Sequence, residues 1–399
     1  MSDDLAFSGL KVLDFSQGVA GPHCGMLLAQ HGATVTKLEP VDGDWGRRIG
    51  RQYGDNCAYG TAFNRGKRSL ALNLKDPDGL AIAKQLAKEA DVILENYRPG
   101  VLKKFGLDYE SVIEENPTVV FLSITGFGQT GPKASLPATD SVMQAFSGLM
   151  SVNKESNGMP MRVGMLAIDV STGLYAFQAV APAIYRRATQ GKGKHITTSL
   201  MEAVGAFQAA KMIEFVFEGP DVQSPGVPVG TFQAKDGFIN INGRRDSHFE
   251  ALCNFIGKPE WASDPRFATV DARFEHEAEL MPMLREIVTE YTVANLNKAL
   301  NEADVLNGPV NDYGDYFEDP HVKEVDAISW IEQSGLGRIP VPCLPGHLPL
   351  RPSEARGHTP HLGEHSREVL MELGYGDKEI DGMRNQGAVV LLERAEAAE

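Results

Sequence analysis

Cysteine is scarce in this 399-residue chain: Cys24, Cys57, Cys253 and Cys343 stand far apart, without Cys-x-x-Cys spacing. That excludes a disulfide framework and a cysteine-based metal site, and suits thiols kept reduced. Long apolar runs are missing as well. No stretch reaches the ~18 apolar residues needed to span a bilayer, and the acidic start Met1-Ser-Asp-Asp-Leu5 lacks the basic segment and apolar core of a signal peptide. A cytoplasmic protein with no membrane partner is therefore expected. Positive charge is in deficit, with 38 Lys+Arg against 53 Asp+Glu and a net charge of −15, which argues against a nucleic-acid partner. The deficit is uneven. Residues 1–110 carry 14 basic and 14 acidic side chains, while the remainder carries 24 and 39, so the N-terminal part can still hold a small polyanion.

The length exceeds the ~250–300 residues at which one core stops growing. The expected organisation is a large domain over 1–218, a Gly/Pro-rich linker at 219–235, a smaller α+β domain over 236–328, and a return to the large domain over 329–399. Gly9-Leu-Lys-Val-Leu-Asp-Phe15 reads as a buried strand, followed by a small-residue loop from Ser16 to Pro22. An apolar helix through Met26 and Leu28 is stopped by Gly32, and Ala33 to Glu39 is the next strand. Such a β-α-β unit binds nucleotides beyond the carboxyl ends of its strands. The glycine fingerprint of dinucleotide binders is absent from it. Gly126-Phe-Gly-Gln-Thr-Gly131 matches Gly-x-Gly-x-x-Gly by letter, but Pro132 and Pro137 interrupt the helix that motif must open, so it reads as a mobile turn.

The chemistry centres on Met165-Leu-Ala-Ile-Asp-Val-Ser-Thr-Gly-Leu-Tyr-Ala176. A short apolar run delivers Asp169 to the mouth of a helix whose pattern starts at Ser171, with Leu174, Phe177 and Ala181 on one face. An N-cap carboxylate and a carboxylate nucleophile share that position, and helix N–H groups would hold it ionised.

Asp169-Val-Ser-Thr-Gly-Leu-Tyr-Ala176 resembles the active-site stretch of class III (CaiB/BaiF-type) CoA-transferases. Ala20-Gly21-Pro22, Asn64-Arg-Gly-Lys-Arg-Ser69, Leu72-Asn-Leu-Lys75 and Ala90-Asp-Val-Ile-Leu-Glu-Asn-Tyr-Arg-Pro-Gly100 resemble the same family in order, and the likeness runs from residue 9 to 370. The resemblance implies an α/β fold, a large Rossmann-like CoA-binding domain plus a smaller α+β domain, in an intertwined homodimer. It also implies transfer of CoA from an acyl-CoA donor to a free carboxylic acid through an aspartyl-CoA thioester on Asp169, with Asp140 as the acidic residue beside it. CoA contacts are implied at Val19, Ala20, Leu72, Asn73, Lys75, Asn96, Arg98 and Lys104. CoA and acyl-CoA are substrates in this reading, and no permanently bound cofactor is expected.

An acyl-CoA racemase of the same superfamily and a non-catalytic CoA-binding protein are the alternatives. Racemases carry Gly-His-Asp where this chain has Thr139 before Asp140. Val19 replaces the glutamine that formyl-CoA transferase places before its Ala-Gly-Pro, which argues against a formyl/oxalate pair. Arg47, Arg48, Arg51 and Arg245 leave room for an acceptor with a second carboxylate. His358, His361 and His365 lie in a Pro/Gly-rich stretch with no ligand-like carboxylate or thiol in sequence, so no metal is expected.

Overall fold

The computed structural model describes residues 5–155, 157–220 and 226–392. Met1 to Asp4, part of the expected linker (221–225) and the last residues of the C-terminal tail (393–399) lie outside them. The chain forms two compact units, Met1–Ala209 with Asp326–Glu399, and Ala210–Val325.

The first unit is built on a seven-stranded sheet. Its strands are β1 (Lys11–Asp14), β2 (Thr34–Glu39), β3 (Arg68–Leu72), β4 (Val92–Glu95), β5 (Val120–Thr125), β6 (Lys194–Ser199) and β7 (Val389–Val390), in the spatial order β7-β3-β2-β1-β4-β5-β6. All pairings are parallel except β7 against β3, which brings the C-terminal chain back onto this sheet. Alternate residues feed two cores, as a parallel sheet covered on both faces requires. Val12, Val92, Val120 and Leu122 pack with Leu28, Ile168 and Val180 on one face; Leu13, Ile93 and Phe121 pack with Ile82 and Leu370 on the other.

The strand order reverses between β1 and β4, and such a switch point opens a crevice at the carboxyl ends of the strands. Seven helices position what surrounds it: α1 (Ala20–Gln30), α2 (Ala58–Asn64), α3 (Pro77–Glu89), α4 (Tyr109–Glu115), α5 (Asp140–Phe146), α6 (Ala167–Gln190) and α7 (Leu200–Phe207). The expected Ser16–Pro22 loop is shorter than its composition suggests. Ala20, Gly21 and Pro22 already form the first turn of α1, where proline is tolerated because its missing N–H would have no partner. Helix α7 ends at Gln208, whose side-chain amide donates to the Ser147 carbonyl. No helix opens within Gly126–Gly131; irregular chain runs on until α5.

The buried face of α6 also differs from its sequence pattern. It starts at Ala167, and Ile168, Thr172, Ala176, Val180 and Ala183 are buried, whereas Leu174 is 51% exposed.

The second unit has a three-stranded antiparallel sheet of Val229–Gln233, Phe238–Asn242 and Leu306–Pro309. Helices Asp246–Phe255, Glu277–Val288 and Val293–Glu302 close a core of Phe232, Ile239, Phe249, Leu252, Leu284 and Leu296. Among the described residues no helix is long and apolar enough to cross a membrane.

Candidate active site

Asp169 is the third residue of α6, and the N-cap is Leu166, which offers no side-chain cap. The cap comes from another helix. Asp140, the first residue of α5, turns one carboxylate oxygen to the backbone N–H groups of Ile168 (2.6 Å) and Asp169 (3.1 Å), while its other oxygen accepts from Gln144 Nε2 at 2.6 Å. Thr139 is the N-cap of α5 itself, accepting from the Val142 N–H. Asp169 is thus relieved of the capping role, and its carboxyl keeps part of its surface open.

This arrangement corrects the expectation that helix N–H groups hold Asp169 ionised. Two of those donors are taken by Asp140. Burial, reinforced by the Asp140 charge, pushes the Asp169 carboxyl up from 3.8 to about 7.

A second contact reaches this turn from α1. His23 Nδ1 lies 3.0 Å from the carbonyl oxygen of Val170, an atom that only accepts, so the ring proton sits on Nδ1. The ring also packs on Phe63 at 5.1 Å between centroids. Gly173 makes the approach possible, since a Cβ there would lie 2.7 Å from the imidazole. Burial lowers His23 to a pKa of about 4, with Lys67 and Arg65 opposing the charged form, so it is a neutral imidazole near neutral pH. Sequence reading missed this residue, because its partner is 147 positions away.

Beneath the β1–α1 turn lies a buried ionic network, also missed. Lys67 Nζ donates to Asp14 Oδ2 (2.8 Å), the Pro22 carbonyl (2.8 Å) and Asn64 Oδ1 (2.9 Å). Lys37 Nζ donates to the Ser16 carbonyl at 2.8 Å and pairs with Asp44 at 2.8 Å. Asp44 in turn accepts from Gly18 N–H at 2.8 Å. The charged side chains of Asp14, Lys37, Asp44 and Lys67 are fully buried. Two lysines hold the carbonyls at both ends of the Ser16–Pro22 turn.

The residues assigned to CoA by resemblance are divided by the structure. Val19 and Ala20 are buried as whole residues, 2% and 4% exposed. Leu72, Asn73 and Lys75 line a cavity of about 300 Å³ with Gln17, Leu38 and Tyr97. Asn96 clasps the β1 turn across the switch point: its Oδ1 accepts from Gln17 N–H at 2.8 Å and its Nδ2 donates to the Gln17 carbonyl at 2.7 Å. Arg98 lines a different cavity, of about 440 Å³, with Glu95, Lys103, Ser123 and His195. Lys104 is exposed and lines neither of these two cavities. Burial lifts the Glu95 carboxyl to about 7, against the hydrogen bond from Ser123.

Arg47 is not free for a substrate carboxylate. It is 3% exposed, forks onto both oxygens of Glu39 at 2.7 Å and donates to the Pro360 carbonyl. Arg48 pairs with Asp42, Arg51 lies over the Tyr53 ring, and Arg245 is the N-cap residue of helix Asp246–Phe255 in the second unit. The three histidines each have their own contact, one with the nearby Glu364 and one with the distant Asp55. His358 meets Glu364 at 3.1 Å, His361 Nδ1 meets Asp55 at 2.8 Å, and His365 Nδ1 accepts from Ser69 N–H at 3.3 Å. Among the described residues no group of three or more His, Cys, Asp or Glu side chains is placed to hold a metal.

A doubly covered parallel sheet with a crevice at its switch point, and a largely buried carboxyl of raised pKa at a helix start, define an α/β protein suited to group transfer from a nucleotide-bearing substrate. Residues 7–366 match the family model for CoA-transferase family III, and the chain belongs to that family. It is a transferase. The succinate–glutarate CoA-transferase of Agrobacterium fabrum is 35% identical over 92% of this chain and 95% of its own. The human succinyl-CoA:glutarate CoA-transferase is 33% identical over 98% and 91%. The beta subunit of succinyl-CoA–L-malate CoA-transferase from Chloroflexus aurantiacus is 33% identical over 96% and 98%. Among solved structures, a CaiB/BaiF family protein from Brucella suis superposes with a TM-score of 0.82 at 32% identity, covering 92% of this chain and 99% of that one.

Proposed function

We propose that this enzyme moves CoA from an acyl-CoA donor to a free dicarboxylic acid, with Asp169 as the nucleophile. The observation that carries this reading is the partly buried Asp169 side chain, relieved of capping by Asp140 and raised to about 7 by burial. A carboxylate of that basicity is half ionised at neutral pH and more nucleophilic than an ordinary one. Asp169 attacks the thioester carbonyl and expels CoA thiolate, giving an acyl-aspartyl anhydride. The thiolate then attacks the aspartyl carbonyl, freeing the donor acid and leaving an aspartyl-CoA thioester. The acceptor carboxylate attacks that thioester, and the returning thiolate takes the acyl group from the new anhydride, which restores Asp169.

The nucleotide part of CoA is assigned to the cavity of Leu72, Asn73 and Lys75, with the backbone of Val19 and Ala20 along the pantetheine and Asn96 holding the turn. Arg98 and Lys104, both exposed, meet phosphate oxygens from the solvent side. A dicarboxylic acceptor is supported by the relatives, whose names pair succinate or succinyl-CoA with glutarate and with malate. The racemase reading is disfavoured by His23. It is the imidazole that contacts the turn bearing Asp169, and at a pKa of about 4 it is a poor base for an α-proton.

The test is a panel of mono- and dicarboxylic acids with succinyl-CoA and acetyl-CoA as donors, read by mass spectrometry of the acyl-CoA formed. Hydroxylamine trapping should mark the peptide containing Asp169. A label elsewhere, or turnover by Asp169→Ala, contradicts the mechanism. Deuterium entering a 2-methylacyl-CoA without any acid present would contradict the reaction class.

A further inference from the structure

Three arginines among the described residues are buried: Arg47, Arg65 and Arg273. Arg47 is held by Glu39, and Arg273 by Asp246 and the carbonyls of Val227, Phe267 and Arg244. Arg65 differs. It is 6% exposed, its Nε donates to the Ala62 carbonyl at 3.3 Å, and its Nη groups have no protein partner among the described residues. Burial draws its pKa down to about 10 with no nearby carboxylate opposing the shift, so it stays protonated at neutral pH. A cation only 6% exposed and without a counter-ion is costly, which is why buried charges are otherwise found paired.

Arg65 also lines a cavity of about 230 Å³. One wall is a single face of α2 and its end, Ala58, Thr61, Ala62 and Arg65, at helical spacings of three and four. The other is the strand Gly337–Pro342, which contributes Ile339 and Val341. Apolar walls with one unpaired guanidinium match a molecule that is a carboxylate at one end and hydrocarbon at the other, because the planar fork takes two oxygens at once. The volume lies below the ~300 Å³ of drug-sized pockets and limits the ligand to a small acid. Phe63, which packs on His23, projects from the opposite face of α2. No residue of the turn that carries Asp169 lines the cavity, although the Arg65 charge is felt at His23.

We propose that the cavity between α2 and strand Gly337–Pro342 is a second ligand site, in which Arg65 binds the carboxylate of a short-chain organic acid and the apolar walls take its hydrocarbon body. Its lining shares no residue with the Asp169 turn, and the proposal does not depend on which acid is the acceptor.

The experiment is isothermal titration of hexanoate into Asp169→Asn protein saturated with succinyl-CoA, so that both the CoA and the acyl positions are filled and no turnover occurs. Hexan-1-ol serves as the uncharged control. The expected result is one hexanoate per chain, with hexanol bound at least roughly tenfold more weakly. Adding Arg65→Gln should weaken hexanoate by roughly tenfold to a hundredfold, the range of a charge-assisted pair. Ala58→Leu, which fills the cavity and leaves Arg65 in place, should do the same; transferase turnover of each substitution in the otherwise unaltered enzyme reports that it folds. Absence of hexanoate binding, equal binding of hexanol, or affinity unchanged in both variants would overturn the proposal. So would a crystal structure placing a carboxylate side chain of a second copy on Arg65.

Discussion

The carboxylate of Asp140 accepts the backbone N–H of Asp169 at 3.1 Å. One aspartate therefore caps the helix on which the other waits, and its charge adds to the burial that raises its neighbour's pKa. The nucleophile must be ionised, so turnover should rise with pH through about 7 and level off above it. Asp140→Asn keeps an acceptor for the two N–H groups and removes the charge. Its acid limb is expected at lower pH than that of the unsubstituted enzyme. Asp140→Ala should in addition lose ~0.5–2 kcal/mol of stability through the missing cap. The pH dependence of kcat, with urea unfolding alongside, checks both; an unmoved limb in Asp140→Asn would remove Asp140 from the account.

Asp169 itself is held at a cost to the fold. Its folded pKa of about 7 lies above the ordinary 3.8, so the penalty is absent below the lower value, grows between the two, and is constant above the upper. Asp169→Asn should consequently be more stable than the unsubstituted protein at pH 8, by on the order of 2 kcal/mol after allowance for solvent screening. The advantage should shrink as the pH falls towards 4. Denaturant unfolding at pH 4.5, 6 and 8 tests the trend, and an advantage that grows on acidification contradicts it.

Lys67→Met should be among the more damaging single substitutions in the first unit. It leaves Asp14 buried and unpaired, and removing one partner of a buried pair typically costs ~3–5 kcal/mol. The Pro22 carbonyl also loses its donor, so the KM for acyl-CoA should rise in whatever protein folds. Asp14→Asn combined with Lys67→Met should be less destabilised than Lys67→Met alone. A double variant that is the sum of the two singles would mean that the pair is not coupled.

The homodimer implied by the family resemblance is our expectation for solution. Leu174 and Tyr185 on α6 are 51% and 72% exposed, and Val142 and Phe146 on α5 are exposed beside them in sequence order. Apolar side chains left open on two helices suit coverage by a second copy. Light scattering should give twice the chain mass of 43.3 kDa, and a stable monomer at micromolar concentration contradicts the expectation.

The sequence alone determined the class of the fold and the position of the proposed nucleophile at a helix start. Strand and helix periodicity are local properties, and the β-α-β order with a parallel sheet follows from the alternation of the two. Asp169 stood out because its segment is a short motif, and Leu72, Asn73 and Lys75 share one cavity because they lie on consecutive residues at the end of one strand. What surrounds Asp169 was decided by tertiary structure. Asp140 reaches it across 29 positions, His23 reaches Val170 across 147, and Lys67 reaches Asp14 across 53. No local pattern encodes such pairs. The same holds for the arginines, since Arg47 and Arg65 read alike in sequence, and only packing gives one a glutamate and leaves the other facing an apolar cavity. Charge type is written in the residue; whether that charge is spent on the fold or kept for a ligand depends on what the topology brings beside it.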